Sequence, residues 1–252
     1  MTNVSKNTSV ISSISNETAS VNKQEPAKKY EFIDDCEYID GHFLKRIRAL
    51  RDFDDVKKGD LGGYIESEDN LSHDGNCWVY DKARVFQNAR VFENAKVKSF
   101  FVDVYGNAKI YGNAIFEGMA INDYCEVYGN AHIENAVIIE GNVKIYDNAR
   151  VSGHAHISDM SVVCDDAHVG GNAKISDGAY ICDHSYVMDD AVVCGSYVSG
   201  SSCVHSAASL TSDDQIHDEA IPRFGSKDDY YRHEYYDDYS YDDDSAYESD
   251  AA

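Results

Sequence analysis

Positive charge is scarce in this chain. Of 252 residues, 22 are Lys or Arg against 45 Asp or Glu, a formal net charge of −23. A surface that acidic repels phosphate backbones and anionic headgroups, which excludes general electrostatic binding to nucleic acid or membrane. The N-terminal arm lacks the apolar core of a signal peptide or a bilayer anchor. Cys36, Cys77, Cys125, Cys164, Cys182, Cys194 and Cys203 make an odd count with no CxxC spacing, the pattern of reduced thiols in a cytoplasm. No P-loop, GxSxG, HExxH or zinc-ligand spacing is present. No cofactor is expected.

What the chain does have is a rhythm. An apolar residue returns about every sixth position, usually two places after a small residue. The series opens Val79, Val85, Val91, Val97, then takes one long step to Val104, Ile110 and Phe116. One short step leads to Ile121, and twelve unbroken six-residue steps reach Val193. Another short step gives Val198, Val204, Leu210 and Ile216. Hexapeptide periods of this kind specify β-helical solenoids. The branched residue favours a strand and points inward. The small residue lets the corner close, and Gly, Asn or Asp supplies the turn, as in AKIYGN at 108–113. Three units make a triangular coil. Twenty-four anchors predict about eight coils spaced by roughly 4.8 Å, an all-β, single-stranded left-handed parallel β-helix. A propeller or sandwich needs longer, less regular units.

The composition divides the rest. Residues 1–29 are Ser/Asn/Thr/Lys-rich with no periodic core and read as a disordered arm. Residues 30–76 read as a small β cap, with an alternating stretch at 43–50 and a turn at Gly62-Gly63. Trp78 is expected to pack beneath that cap. The β-helix spans 77–221. Residues 222–252 read as a disordered acidic tail; from 226 onward it holds ten Asp/Glu, two cations and seven tyrosines.

The segment LGGYIESEDNLSHDGNCWV at 61–79 runs into YDKARVFQNARVFENAKV and VYGNAKIYGNA, preceded by ALRDFDDVKKGDLGG. From about residue 30 to 216 this resembles hexapeptide-repeat proteins of bacteriophages and the YdcK-type, transferase-like proteins of enteric bacteria. The resemblance implies a left-handed β-helix with a family-typical cap, from a phage or a bacterium. Its transferase label rests on analogy of fold, which does not fix function. The arm and the tail lie outside it.

Counting anchors in threes places Val91, Ile110, Val127, Ile145, Val163, Ile181, Val198 and Ile216 on one face. The residue after each anchor is expected to point outward, giving a ladder of Phe92, Tyr111, Tyr128 and Tyr146. Arg90, Lys109 and Lys144 lie beside it. Such a ladder either binds a ligand by stacking or is structural, like stacked on like. Cys164 and Cys182 fall on consecutive coils of this face. Asp147, Asp165 and Asp183 form a row at the adjacent corner, a candidate divalent-metal site or a set of turn-forming aspartates. His132, His154, His156, His168, His184 and His205 are the histidines of the repeat, with Arg150 between His132 and His168. No catalytic residue is assigned among them.

The reading is a non-enzymatic, phage-like scaffold or binding protein. It would capture a basic host protein in the (host) cytoplasm through its acidic surface, as a nucleic-acid mimic or host-defence inhibitor. Its tail would contribute Tyr235, Tyr236, Asp237, Asp238, Tyr239, Tyr241, Asp242, Asp243 and Asp244. The alternative is a hexapeptide-repeat acyltransferase using acyl-CoA, which calls for a homotrimer; a further one is a structural part of a virion or surface assembly. Direct binding to nucleic acid or membrane is not expected. Step lengths differ by one residue at most, so no long loop leaves the prism, and regular Thr ladders suited to ice are missing.

Overall fold

The computed structural model describes residues 28–222. Three strands open it: β1 (Tyr30–Ile39), β2 (His42–Ala49) and β3 (Leu61–Ile65). They form an antiparallel meander, with Tyr30 opposite Ala49 and Lys45 opposite Ile65. β3 then changes partner type. Ile65 pairs in parallel with Val85, and Leu71 bridges in parallel to Val91. The meander thus flows into a parallel β-solenoid.

Each turn of the solenoid contributes one short strand to each of three faces. The first face runs Ile65, Val85, Val104, Ile121, Ile139 and on to Leu210. The second starts at Leu71 and ends at Ile216; the third runs from Val79 to Ile221. Nine rungs stack on the third face, one more coil than the repeat count predicts. The extra coil has a simple origin. Ile221, five residues past Ile216, adds the ninth rung of the third face, while Ile65 and Leu71 head the other two columns, where the eight-residue step from Leu71 to Val79 hides them from a six-residue count.

Nearly every anchor is fully buried, as are the small residues two places before, such as Ala89, Ala95, Ala108 and Ala149. Backbone N–H groups of one coil donate to carbonyls of the next, as Arg90 N does to Ala108 O at 2.9 Å. This satisfies the backbone along the prism. Corner residues take left-handed backbone, among them Asp123, Asp147, Asp165 and Asp183 with φ between 54° and 59°. Their carboxylates are used. Asp123 Oδ2 accepts from Gly141 N at 3.0 Å, and Asp183 Oδ2 from Gly200 N at 2.8 Å. The turn aspartate thus staples its coil to the next. Asparagines one position further on, at the corner that also holds Asp147, Asp165 and Asp183, do the same with side chains alone. Asn94 Nδ2 donates to Asn113, Asn113 to Asn130, and Asn130 to Asn148, at 3.0–3.1 Å. Asn148 ends the chain on the Asp166 carboxylate at 3.0 Å.

The entry end is closed by aromatics. Trp78 is buried, with ring centroids 5.4 Å from Phe53 and 6.2 Å from Tyr30. Tyr30 donates to Leu71 O at 2.8 Å. Lys29 is wholly buried, its ammonium donating to Cys77 O at 2.8 Å and Cys77 Sγ at 3.2 Å. Burial lowers the Lys29 pKa and raises that of Cys77. Gly62 and Gly63 are not a turn. They lie within β3, where a Cβ on Gly63 would sit 2.3 Å from Ala83 O. The pair is there for close backbone approach between cap and first coil.

Candidate functional site

The predicted ladder forms. Phe92, Tyr111, Tyr128 and Tyr146 stack with centroids 4.8, 4.8 and 5.0 Å apart and ring planes within 7°. The 4.8 Å spacing is the strand spacing itself. Each inner ring has both flat faces covered by its neighbours, so what the ladder offers outward is ring edges. Arg90 lies 5.9 Å from the Phe92 centroid, and Lys109 is bound to Glu126 at 2.7 Å. Arg90, Lys109 and Lys144 are all exposed. Burial, then Glu126, pushes the Tyr111 phenol up to about 12.

Cys164 and Cys182 sit on adjacent coils, as register predicts. They are buried, however, although the position after an anchor was expected to face out. Tyrosines from the following coils cover them: Cys164 Sγ lies 3.5 Å from Tyr180 Oη, and Cys182 Sγ 3.4 Å from Tyr197 Oη. The Tyr146 hydroxyl meets Tyr180 at 3.3 Å, and Tyr180 stacks on Tyr197 at 5.4 Å. Of the aspartate row, Asp165 and Asp183 come together with Cys182, within 4.8 Å of one another, while Asp147 stands outside that group. Asp165 Oδ2 is occupied by Asp183 N at 3.2 Å. The tail residues from Tyr235 to Asp244 lie outside the described residues.

Two of the concavities among the described residues bear on function. The first, of about 600 Å³, opens where cap and coils meet and is lined by His42, Glu66, Ser67, Gln87, Asn88, Gly106 and Asn107. His42 opens β2 just after the Asp40-Gly41 turn, and Glu66 follows β3. His42 Nδ1 lies 2.9 Å from Glu66 Oε1, and the ring leans on Phe86 at 5.4 Å. Glu66 Oε2 accepts from Gln87 N at 2.7 Å. The hydrogen bond from His42 is the main cause holding the Glu66 carboxyl below its ordinary range. Gln87 Oε1 accepts from Gly106 N at 2.8 Å, which turns its amide NH₂ toward His42 Nε2 at 3.3 Å. A carboxylate on Nδ1 and a donor facing Nε2 select one tautomer: proton on Nδ1, lone pair on Nε2. An oriented imidazole whose Nε2 lone pair faces the recess can take a proton from a group that displaces the Gln87 amide. The repeat pattern could not reveal this dyad, because His42 precedes the first hexad and Glu66 belongs to the hidden coil.

The second concavity, about 540 Å³, lies on the corner between third and first faces, lined by Asp81, Lys98, Phe101, Glu117, Met119 and Glu134 among others. Here the rhythm slips twice on successive coils, long after Val97 and short after Phe116. The inserted residue pushes Phe100 and Phe101 into solvent, 60% and 80% exposed. The missing one leaves Gly118 against the wholly buried Phe116 ring. Both slips are visible in the spacing of the anchors, but spacing alone does not show that they open a recess.

The repeat histidines find carboxylates rather than one another. His156 Nε2 is 2.8 Å from Glu140, and His184 and His205 approach Asp166 and Asp189 at 3.6 and 4.0 Å. His168 stacks on Tyr186 at 4.9 Å, and Arg150 lies in register between His132 and His168. Among the described residues no helix is long and apolar enough to cross a membrane.

No family model matches the chain. A stretch of 100 residues, 39% of the chain, is 33% identical to the "uncharacterized acetyltransferase YdcK" of Escherichia coli strain K12. That stretch covers 25% of the relative, so the similarity concerns a quarter of its length. Repeat pattern, parallel solenoid and this stretch of identity agree: the chain is a hexapeptide-repeat parallel β-solenoid that is similar over these 100 residues to a YdcK-type protein.

Proposed function

We propose that the chain is an acyl-group transferase of the hexapeptide-repeat kind, with the concavity at the cap junction as its site. The observation that carries this reading is the His42–Glu66 dyad, oriented by Gln87 within an open recess. His42 Nε2 would take the proton from an acceptor hydroxyl or amine as that group attacks the thioester carbonyl of an acyl-CoA; the C–S bond would then break and CoA would leave as its thiol, taking the proton back from the imidazolium. Glu66 would hold the ring and stabilise the imidazolium that forms. Gln87, freed from Nε2 by the acceptor, is a positioning residue through its hold on Gly106. The acetyltransferase name of the similar protein supports the reaction class, and a β-helix is a compatible host.

The test is release of free CoA from acetyl-CoA with a panel of amino-sugar and alcohol acceptors. Turnover by the full chain, reduced roughly 10²–10⁴-fold in His42→Asn and clearly reduced in Glu66→Gln, is expected. Turnover untouched by His42→Asn would sink the reading.

A second reading is a binding scaffold that captures a basic protein. It is favoured by the charge of −23 and by the three continuous faces of the described residues. The tail would act as its recognition segment. Salt-sensitive retention of a basic protein by the full chain, lost in a chain ending at Gly225, is what this reading expects; equal retention by both would remove the tail from it.

A further inference from the structure

We infer that Glu117, His132 and Glu134 form a site for a divalent first-row metal ion at the slipped corner. The inference does not rest on the His42 reading, since the residues differ and the readout is metal binding. Glu117 ends the strand Ile115–Glu117, and His132 and Glu134 bracket the anchor of the strand His132–Glu134. The two strands are parallel neighbours with Glu117 and Glu134 directly in register.

Three observations converge. The paired glutamates are like charges placed opposite each other, which is destabilising without a cation. Among the described residues no Lys or Arg forms an ion pair with either one. His132 Nε2 is buried and makes no hydrogen bond, although Glu117 Oε2 stands 3.6 Å away. That separation is too long for a hydrogen bond. It is close to the about 3.4 Å edge of a tetrahedron of N and O ligands around zinc. One donor atom from each of the three residues lies within 4.8 Å of the others. A single ion between them would satisfy the orphan nitrogen and neutralise the facing carboxylates at once.

The donor set names the chemical class. One imidazole and two carboxylates suit Zn²⁺, Co²⁺ or Mn²⁺ better than a thiophilic ion. Both glutamates border the 540 Å³ concavity, so an ion there keeps a position open to a small oxygen ligand, beside the exposed Phe101 and Met119. The site is also separable from Asp165–Cys182–Asp183, the other cluster within ligating reach among the described residues, because only that one carries sulfur.

The experiment is a Co²⁺ titration of the full chain, followed by visible absorption and by competition with a chromogenic chelator. About one equivalent bound with d–d bands and no near-ultraviolet thiolate charge-transfer band is expected. His132→Asn and Glu134→Gln should each weaken binding about tenfold or more, with circular dichroism unchanged. A thiolate band would place the ion at Cys182 and overturn the assignment. So would affinity indifferent to both substitutions, or no binding at all. Should His132→Asn disturb the fold, Glu134→Gln, on an exposed side chain, decides alone.

Discussion

At the scale of the residue, the corner aspartates do two jobs at once. Asp165 holds φ at 57° and its Oδ2 accepts from the next coil's Asp183 N. Asp165→Ala loses that bond and leaves an alanine, with no polar side chain to bond locally, in left-handed backbone, a cost of about 1–3 kcal/mol in urea unfolding. Asp165→Asn keeps an acceptor and should cost clearly less; equal losses would show that the carboxylate is not bridging coils. Sequence reading found these aspartates as turn formers, since residue type and hexad position suffice for that. A Gly-Gly pair reads as a turn because glycine serves both turns and close approach; here a Cβ on Gly63 would lie 2.3 Å from Ala83 O, which marks close approach. A pH effect belongs to this scale too. Lys109 donates to Glu126 at 2.7 Å, the main cause holding that carboxyl below its ordinary range. A folded pKa below the unfolded one stabilises above the unfolded value and loses the contribution as pH falls through the folded one. The stability gap between the protein and Glu126→Gln should therefore be full at pH 6 and narrow below about pH 4. A constant gap would contradict the pairing.

At the scale of the element, register decides what a side chain can do. The Phe92–Tyr146 ladder was visible from spacing alone, because anchors three apart share a face and the next residue repeats the same outward position. What spacing could not show is that the rings approach to 4.8–5.0 Å and cover one another. Nor could it show that Tyr180 and Tyr197 lie over the sulfurs of Cys164 and Cys182. Those tyrosines precede their anchors by one residue, so they reach across from the next coil rather than continue the ladder. Tyr128→Ala removes two stacked contacts from the middle of the column. A loss of about 1–3 kcal/mol beyond the lost area is expected from chemical denaturation. Tyr128→Phe, which keeps both stacks, should stay near neutral. A large effect of the Phe variant would mean that the hydroxyl, not the stack, carries the ladder.

At the scale of the whole molecule, the protein is a column in which each coil rests on its neighbours. Removing residues 140–157, eighteen positions and one coil, keeps every anchor on its face. The shortened protein should retain its β-sheet circular dichroism and lose about a ninth of its urea m-value. Removing nine residues instead inverts the inward and outward positions and should abolish the fold. Architecture was legible because a repeat declares itself many times over. The candidate site was not, because it is assembled once, between a cap strand and a hidden coil, by residues with no period. His42 reaches Glu66 only because β2 pairs with β3 while the end of β3 lies on the first coil. The measurement that bears most directly on this account is the imidazole ¹⁵N spectrum of His42 with and without acetyl-CoA. The account predicts a neutral ring protonated on Nδ1, with an Nε2 signal that shifts on adding acetyl-CoA and is absent in His42→Asn. A ring protonated on Nε2, or one indifferent to acetyl-CoA at millimolar excess (about 1 mM, the upper end of common KM values), would contradict it.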